Sequence, residues 1–258
     1  MQSLQNLKNQ QVYFGSPLGF NDPYDCALSP SVRVPSDKDI EAIRQYYLTD
    51  DSVDTKNKNA LRSSSTQKLR VDFLRSAQTV LDGTIEEFLK GRGITCFTES
   101  NNNLLMWSHY GGYGKGFCLE FDGRAELFQK ARRVRYSATM PKLDLVQLLC
   151  GDSSDQILDL YCTKGLDWRY EREWRCIHNV AGTPYGYPSS ALTAIYLGPD
   201  IADSALEIIA LILRGQNAHI RIMRGTRSRS EFSVYFNEIT YTTHLEASNS
   251  RSVELTPI

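Results

Sequence analysis

The stretch that most constrains the fold is residues 99–122, ESNNNLLMWSHYGGYGKGFCLEFD. Three asparagines at 101–103 precede an apolar turn, and a short side-chain oxygen can accept the unpaired amides that open a helix. The pattern therefore predicts a helix over 104–110 that ends at Gly111. This turn is too apolar for a solvent-exposed helix, so we expect it to be buried on most sides. A strand over 116–121 is predicted to follow at once.

A glycine cluster separates that helix from the strand. Gly112, Gly114 and Gly116 can take positive φ angles and bring backbone amides close to a ligand, with Lys115 supplying charge. The alternative is a simple turning role, which is the usual one for such clusters. The phosphate-loop motif is absent, because Gly116 stands where a Ser or Thr would bind magnesium.

His109 is the histidine best placed for chemistry, since Ser108 and Tyr110 flank it in the apolar turn. An unperturbed imidazole changes its charge near neutral pH, which suits acid–base catalysis. A satisfied structural histidine is the alternative that the sequence leaves open.

Length and charge limit the class of protein. The chain has 258 residues, of which 41% are hydrophobic, so it can bury a proper core. Its net charge is 29 − 30 = −1, which gives no general attraction to nucleic acid or to a membrane surface. No stretch approaches the roughly 18 consecutive apolar residues of a membrane span, and the first ten residues lack the apolar core of a signal peptide. We expect a cytoplasmic protein with no membrane partner.

Six cysteines lie far apart in the sequence, at Cys26, Cys96, Cys118, Cys150, Cys162 and Cys176. No CxxC pair or Cys/His pair has zinc-ligand spacing. The pattern favours reduced thiols over disulfides, and no metal is expected.

The order of predicted elements indicates an α+β domain. Strands are separated by helices without regular βαβ alternation, which favours a mixed, largely antiparallel central sheet flanked by helices. We predict a single domain over residues 1–246. Within it, the polar segment 49–67 is predicted to be a mobile loop, and residues 247–258 are predicted to be a disordered tail.

The pattern of the charged segment WRYEREWRC at 168–176 predicts a strand. Its alternation places Glu171, Glu173 and Arg175 on one face, with successive side chains roughly 6.5–7 Å apart. In a cleft, such a row would have the perturbed pKa values that mark active sites. On an open surface, it would be a solvated face with a weak ion pair. The sequence alone does not decide between an active-site cleft and a solvated surface.

Two further segments carry candidate ligand-binding residues. Asn21 and Asp22 precede Pro23, and their side chains can bond amides two residues on, so they either hold the loop or face a ligand. Segment 214–229 contains five arginines and no carboxylate, which fits phosphate binding or a solvated hairpin. The second is favoured, because no aromatic residue interleaves after Ile222 for base stacking.

Five motifs in fixed order resemble the bacterial domain of unknown function 2971 family. They are FNDPYD at 20–25, CFTES with LLMWSHYG within 96–111, GFCLEFD at 116–122, YEREWR at 170–175 and AIYLGP at 194–199. The resemblance covers about residues 12–199. It implies an uncharacterised bacterial protein, since the family is defined by sequence and has no settled activity.

A weaker resemblance is to ADP-ribosyltransferase folds, which have a split mixed sheet and a late strand bearing Glu-x-Glu. Glu171-Arg172-Glu173 is similar to that motif. The resemblance implies NAD as a substrate, with Glu173 stabilising the oxocarbenium-like ribose and Glu171 assisting. It also implies a wall that stacks on the nicotinamide, formed by Ser108, His109 and Tyr110.

Three hypotheses follow from these patterns. The first is a nucleotide-handling, ADP-ribosyltransferase-like effector of toxin or phage-defence type. Its catalytic residues would be Glu173, Glu171 and His109, and its ligand-binding residues would be Ser108, Tyr110, Lys115, Arg175, Asn21 and Asp22. The alternative is a non-catalytic module that binds nucleic acid or a phosphorylated ligand through Lys115, Arg175, Arg221 and Arg224. The third is a protein-interaction domain in which these polar motifs hold the core together.

Overall fold

The structure is a computed structural model that describes residues 2–27, 30–151 and 154–253. Its α-helices are α1 (Gln2–Lys8), α2 (Asp37–Thr49), α3 (Thr55–Ser63), α4 (Thr66–Gly91), α5 (Leu104–His109), α6 (Glu126–Gln129), α7 (Leu145–Cys150), α8 (Ser154–Tyr161), α9 (Asp203–Gln216) and α10 (His244–Val253). Its strands are β1 (Gln11–Phe14), β2 (Ser31–Val32), β3 (Gly93–Thr98), β4 (Phe117–Phe121), β5 (Arg132–Arg133), β6 (Arg135–Ser137), β7 (Lys142–Leu143), β8 (Thr163–Gly165), β9 (Glu173–His178), β10 (Thr183–Gly186), β11 (Leu192–Leu197), β12 (Arg221–Arg227) and β13 (Val234–Glu238).

The strands are divided among several sheets. The largest has the order β13-β12-β11-β4 and is antiparallel apart from the β11–β12 pair. A second sheet, β3-β9-β5, is antiparallel throughout. The short pair β1–β10 is antiparallel, and the short pairs β2–β7 and β6–β8 are parallel. The α+β class with mixed, mainly antiparallel strands is confirmed, although the sheet is split rather than central and continuous.

Helix α9 covers the larger sheet. Leu206, Ile209 and Leu213 recur at helical spacing and join Leu192 and Ile195 of β11 in one buried cluster. The long helix α4 buries a similar stripe against the helices that precede and follow it, so its apolar residues belong to two further clusters. Among the described residues, no helix is long and apolar enough to cross a membrane.

The predicted mobile loop at 49–67 is wrong, because α3 occupies Thr55–Ser63 and α4 already starts at Thr66. Asp54 caps α3 by accepting the amide of Asn57 at 2.8 Å. Leu61 packs against the cluster formed with α2 and α4. A short helix with a single inward apolar side chain has too little periodicity to stand out from a polar sequence.

The predicted disordered tail is wrong for residues 247–253, which belong to α10, and residues 254–258 lie outside the described residues. Thr243 and Glu246 form a reciprocal capping box at the start of this helix. The amide of Thr243 donates to Glu246 at 2.8 Å, and the amide of Glu246 donates to Thr243 Oγ1 at 3.3 Å. The motif Thr-His-Leu-Glu carries this signal in the sequence.

The segment predicted as a strand from residue 168 does not start as one. A 3-10 helix spans Leu166–Glu171, and β9 begins only at Glu173. Between them Arg172 has a left-handed backbone, with φ 46° and ψ 51°. This single residue joins the 3-10 helix to β9.

Candidate functional site

A cavity of about 1190 Å³ lies between strands β3, β4 and β9, helix α5 and the loop around residue 20. Aromatic side chains form much of its wall, including Phe20, Phe97, Trp107, Phe117 and Phe121. Carboxylates lie on its floor. Ligand sites typically combine a mainly apolar wall with a few fixed polar groups, so this is the candidate functional site.

Five buried charged residues form the floor, and we call them the charged network: Asp25, Lys164, Glu171, Glu173 and Arg175. Arg175 binds both oxygens of Glu173, through Nε at 2.7 Å and Nη2 at 3.0 Å, and its Nη2 lies 2.7 Å from Asp25 Oδ1. Lys164 Nζ lies 2.7 Å from Glu171, 3.3 Å from Asp25 and 3.5 Å from Glu173. Three carboxylates face two cations, so the network carries one net negative charge.

Strand register assembles the network. In the β3–β9 pair, Cys96 lies opposite Arg175 and Thr98 lies opposite Glu173, so these four side chains share one face of the sheet. Glu171 comes from the 3-10 helix, and its carbonyl accepts the hydroxyl of Thr98 at 2.6 Å. Glu171 thus reaches the network from the 3-10 helix rather than from the strand, and the third acidic side chain, Asp25, comes from a separate 3-10 helix at Asp25–Ala27.

The network holds Glu173 and Lys164 in their charged forms. Burial opposes the charge of Glu173, but its hydrogen bonds to Arg175 and the charges of Arg175 and Lys164 outweigh this, so the pKa of Glu173 lies below its usual value. Burial would lower the pKa of Lys164, yet the surrounding carboxylates, Glu173 and Asp25 foremost, raise it above its ordinary value. Glu173 and Lys164 therefore face each other as an anion and a cation at neutral pH.

Tyr110 connects the network to the cavity. Its hydroxyl donates to Glu171 Oε1 at 2.7 Å and accepts the side-chain amide of Asn21 at 3.2 Å. Burial, together with the bond to Glu171, raises the pKa of Tyr110 above its ordinary value, so the phenol remains a donor. About half of the Tyr110 side chain is exposed, so a ligand can displace its hydroxyl from Glu171.

An aromatic rim, which we define as His109, Tyr110, Trp168 and Tyr170, starts at the cavity, which His109 and Tyr110 line, and continues outward through the other two rings. The ring of His109 lies 6.2–6.4 Å, centroid to centroid, from the other three rings. His109 is exposed, and its ring is nearly parallel to that of Tyr170, at 29°. Such a rim offers flat faces on which a planar ligand ring can stack.

The structure brings together five of the side chains predicted for the site: Glu171, Glu173, His109, Tyr110 and Asn21 all line the cavity. Arg175 lies beneath them with no exposed surface.

The other three predicted site residues do not line the cavity. Asp22 accepts the amide of Tyr24 at 2.9 Å and so holds its own loop. Ser108 and Lys115 are exposed elsewhere on the surface. The glycine cluster packs against residues 198–200 through hydrogen bonds from Gly198 to Gly116 and from Asp200 to Gly114, both at 2.9 Å. Its geometry therefore serves the fold.

Sequence reasoning missed Asp25, Lys164 and Cys96. Lys164, a single lysine in the middle of the short strand β8, gave little signal, since only tertiary structure shows the carboxylates around it. Cys96 lines the cavity and is exposed on that side. Protein atoms surround it on its other sides. Burial and the nearby Glu173 raise its pKa well above the ordinary value, so it is a protonated thiol rather than a nucleophile.

Arginines of the 214–229 segment are paired with carboxylates from other elements. Arg221 lies 2.9 Å from Glu120, and Arg224 lies 3.5 Å from Asp203. These pairs reduce the free positive charge on which the alternative nucleic-acid hypothesis depends.

A family model described as protein of unknown function (DUF2971) matches residues 106–176. Over this segment the chain is similar to that family. The segment runs from α5 to β9 and supplies Lys164, Glu171, Glu173 and Arg175, so the matched region contains most of the charged network. No curated protein and no solved structure matches the chain, and the resemblance to ADP-ribosyltransferases finds no support in these comparisons.

Proposed function

We propose that the chain handles a nucleotide, with NAD as the substrate, and that the charged network stabilises the ribose cation formed when nicotinamide leaves. The single observation that carries this proposal is the position of two glutamates, Glu171 and Glu173, on the floor of a large cavity with an aromatic rim. A buried site with net negative charge favours a ligand that develops positive charge in its transition state.

Glu171 is the better candidate for direct contact with the ribose. Both oxygens of Glu173 are bonded to Arg175. Glu171 instead points one oxygen at the half-exposed Tyr110. A ribose hydroxyl can replace the phenol as donor to that oxygen. The proposal therefore gives Glu171 the contact and Glu173 a positioning role, the reverse of the order that the Glu-x-Glu resemblance implies.

The reaction is cleavage of the bond between ribose C1′ and the nicotinamide nitrogen. The bonding electron pair leaves with nicotinamide, which neutralises its ring cation, and the positive charge passes to the ribose. An oxygen acceptor, water or a protein side chain, then bonds to C1′ and releases its proton. The aromatic rim would hold the nicotinamide ring as it departs, with His109 and Tyr110 nearest the network.

Nicotinamide release from NAD tests this proposal. Wild-type protein is expected to release nicotinamide, and Glu171→Gln is expected to be slower by about 10²–10³-fold, the loss typical of removing one electrostatic stabiliser. Glu87→Gln, an exposed change on α4, is the control. Release by wild type at the rate of a protein-free blank would contradict the proposal, as would equal rates in wild type and a folded Glu171→Gln. Depletion of cellular NAD on expression, absent for Glu171→Gln, would connect the activity to a toxin or defence role.

A further inference from the structure

A second depression, of about 1100 Å³, lies beside the cavity, and we call it the arginine groove. Its lining residues are Ser100, Asn102, Asn103, Arg133, Val134, Arg135, Tyr136, Arg169, Tyr170 and Arg172. Four of these ten are arginines, and none is a carboxylate. The cavity has the opposite character, since five carboxylates and one lysine line it.

The arginines of the groove are weakly paired. Arg133 lies 3.6 Å from Glu99, and Arg135 lies 3.7 Å from Asp159, with both pairs largely exposed. Exposed pairs at such distances contribute little. Within residues 2–27, 30–151 and 154–253, neither Arg169 nor Arg172 has a carboxylate oxygen within 4 Å. The groove therefore presents guanidinium groups that an anion can bind.

Two of these arginines, Arg169 and Arg172, lie at the two ends of a strained turn. Arg172 has a left-handed backbone, with φ 46°, a conformation that is unfavourable for a residue with a side chain. The turn is closed by the amide of Arg172 on the carbonyl of Arg169 at 3.4 Å and by the amide of Glu99 on the carbonyl of Arg172 at 3.3 Å. Strained non-glycine residues of this kind cluster at ligand sites.

The groove also offers neutral donors. Tyr136 accepts the amide of Glu173 at 2.8 Å through its hydroxyl oxygen, which leaves the hydroxyl proton for another acceptor. Asn103 holds the start of α5 through its side-chain oxygen, while Asn102 lies beside it on the wall. Guanidinium groups with hydroxyl and amide donors are the set that phosphate oxygens require.

We propose that the arginine groove binds the diphosphate of the nucleotide whose ribose enters the cavity. Ser100 lines both depressions, and Tyr170 belongs to the groove while its ring stacks on His109 at the rim of the cavity. A ligand can therefore place a cation-forming sugar against carboxylates and its phosphates against arginines. This assignment rests on the proposed function for the identity of the ligand, whereas the anion site itself rests on the groove alone.

Calorimetric titration with inorganic pyrophosphate and with ADP-ribose tests the inference. Wild type is expected to bind both, more weakly as salt rises. The double variant Arg169→Gln/Arg172→Gln is expected to bind each at least about tenfold more weakly, because it loses the charged hydrogen bonds of two guanidinium groups. Arg62→Gln, which removes one positive charge at an exposed position on α3, is expected to leave binding unchanged. Failure of wild type to bind either probe, or equal affinities in wild type and the double variant, would overturn the inference.

Glu171→Gln separates this inference from the proposed function. It is expected to retain pyrophosphate binding, because the arginines remain. Pyrophosphate binding through the arginines without nicotinamide release would remove the proposed function and keep the anion site. Release that depends on Glu171 in a protein whose double arginine variant binds both probes normally would do the reverse.

Discussion

Replacing Arg175 with methionine tests whether the charged network is assembled as described. Arg175 has no exposed surface and neutralises Glu173 and Asp25 at 2.7–3.0 Å. Removing one partner of a buried pair leaves uncompensated buried charge and typically costs about 3–5 kcal/mol. For a chain of this size each kcal/mol lowers the melting temperature by about 2–4 °C. We therefore expect Arg175→Met to melt about 6–20 °C below wild type at neutral pH.

The cost should depend on pH in a defined direction. In wild type the folded pKa of Glu173 lies below its ordinary 4.5, so its stabilisation is complete above that value and is lost as the pH falls through the folded pKa. In Arg175→Met the chief groups that lower this pKa are gone and burial raises it. Protonation of Glu173 then relieves the buried charge. The deficit relative to wild type should be smaller at pH 5 than at pH 8.

Thermal and urea unfolding followed by circular dichroism at pH 5 and pH 8 measures both effects. Arg224→Met removes an exposed arginine from a 3.5 Å pair with Asp203 and should change stability little at either pH. A loss in Arg175→Met no greater than that in Arg224→Met, or an equal loss at both pH values, would refute the reasoning.

Three other perturbations have defined outcomes. Tyr110→Phe removes one hydrogen bond to Glu171 at a half-exposed position, so denaturant unfolding should show a loss of about 1 kcal/mol; no change would mean that the bond is not formed. Gly198→Ala would place a Cβ 2.1 Å from a backbone oxygen and should lower the free energy of unfolding by about 1–3 kcal/mol or more. Gly83→Ala places its Cβ in open space and should stabilise α4 by about 0.5–1 kcal/mol. A higher melting temperature for Gly198→Ala than for Gly83→Ala would contradict the close packing at Gly198. Cys96 has a raised pKa and should be alkylated by iodoacetamide at pH 8 at least about tenfold more slowly than free cysteine; peptide mapping that shows equal rates would contradict this.

Local signals predicted the elements that have clear caps and periodicity. Asn103 caps α5 through the amides of Leu105 and Met106 as predicted, and the capping box of Ser36 and Asp39 starts α2 in the same local way. These features depend on residues within a few positions of one another. Their physics is contained in the sequence, so the elements could be found without a structure.

The site could be predicted only in part, because its assembly depends on residues distant in the chain. Glu173 and Arg175 could be placed on one face by alternation. Lys164 and Asp25 join them only because the 3-10 helix at 25–27 and strand β8 pack together. The strained turn at Arg172 was hidden as well, since an arginine gives no sign of a positive φ. Arg169 and Arg172 of the arginine groove lie at that turn, so the groove could not be predicted from the sequence either.

A crystal structure of the protein grown with ADP-ribose would show whether one nucleotide occupies both the cavity and the arginine groove. We expect the ribose against Glu171, with the hydroxyl of Tyr110 displaced from that carboxylate, and the diphosphate between Arg169 and Arg172. A ligand bound at another surface, or a ribose placed away from Glu171 with the phosphates outside the arginine groove, would contradict it.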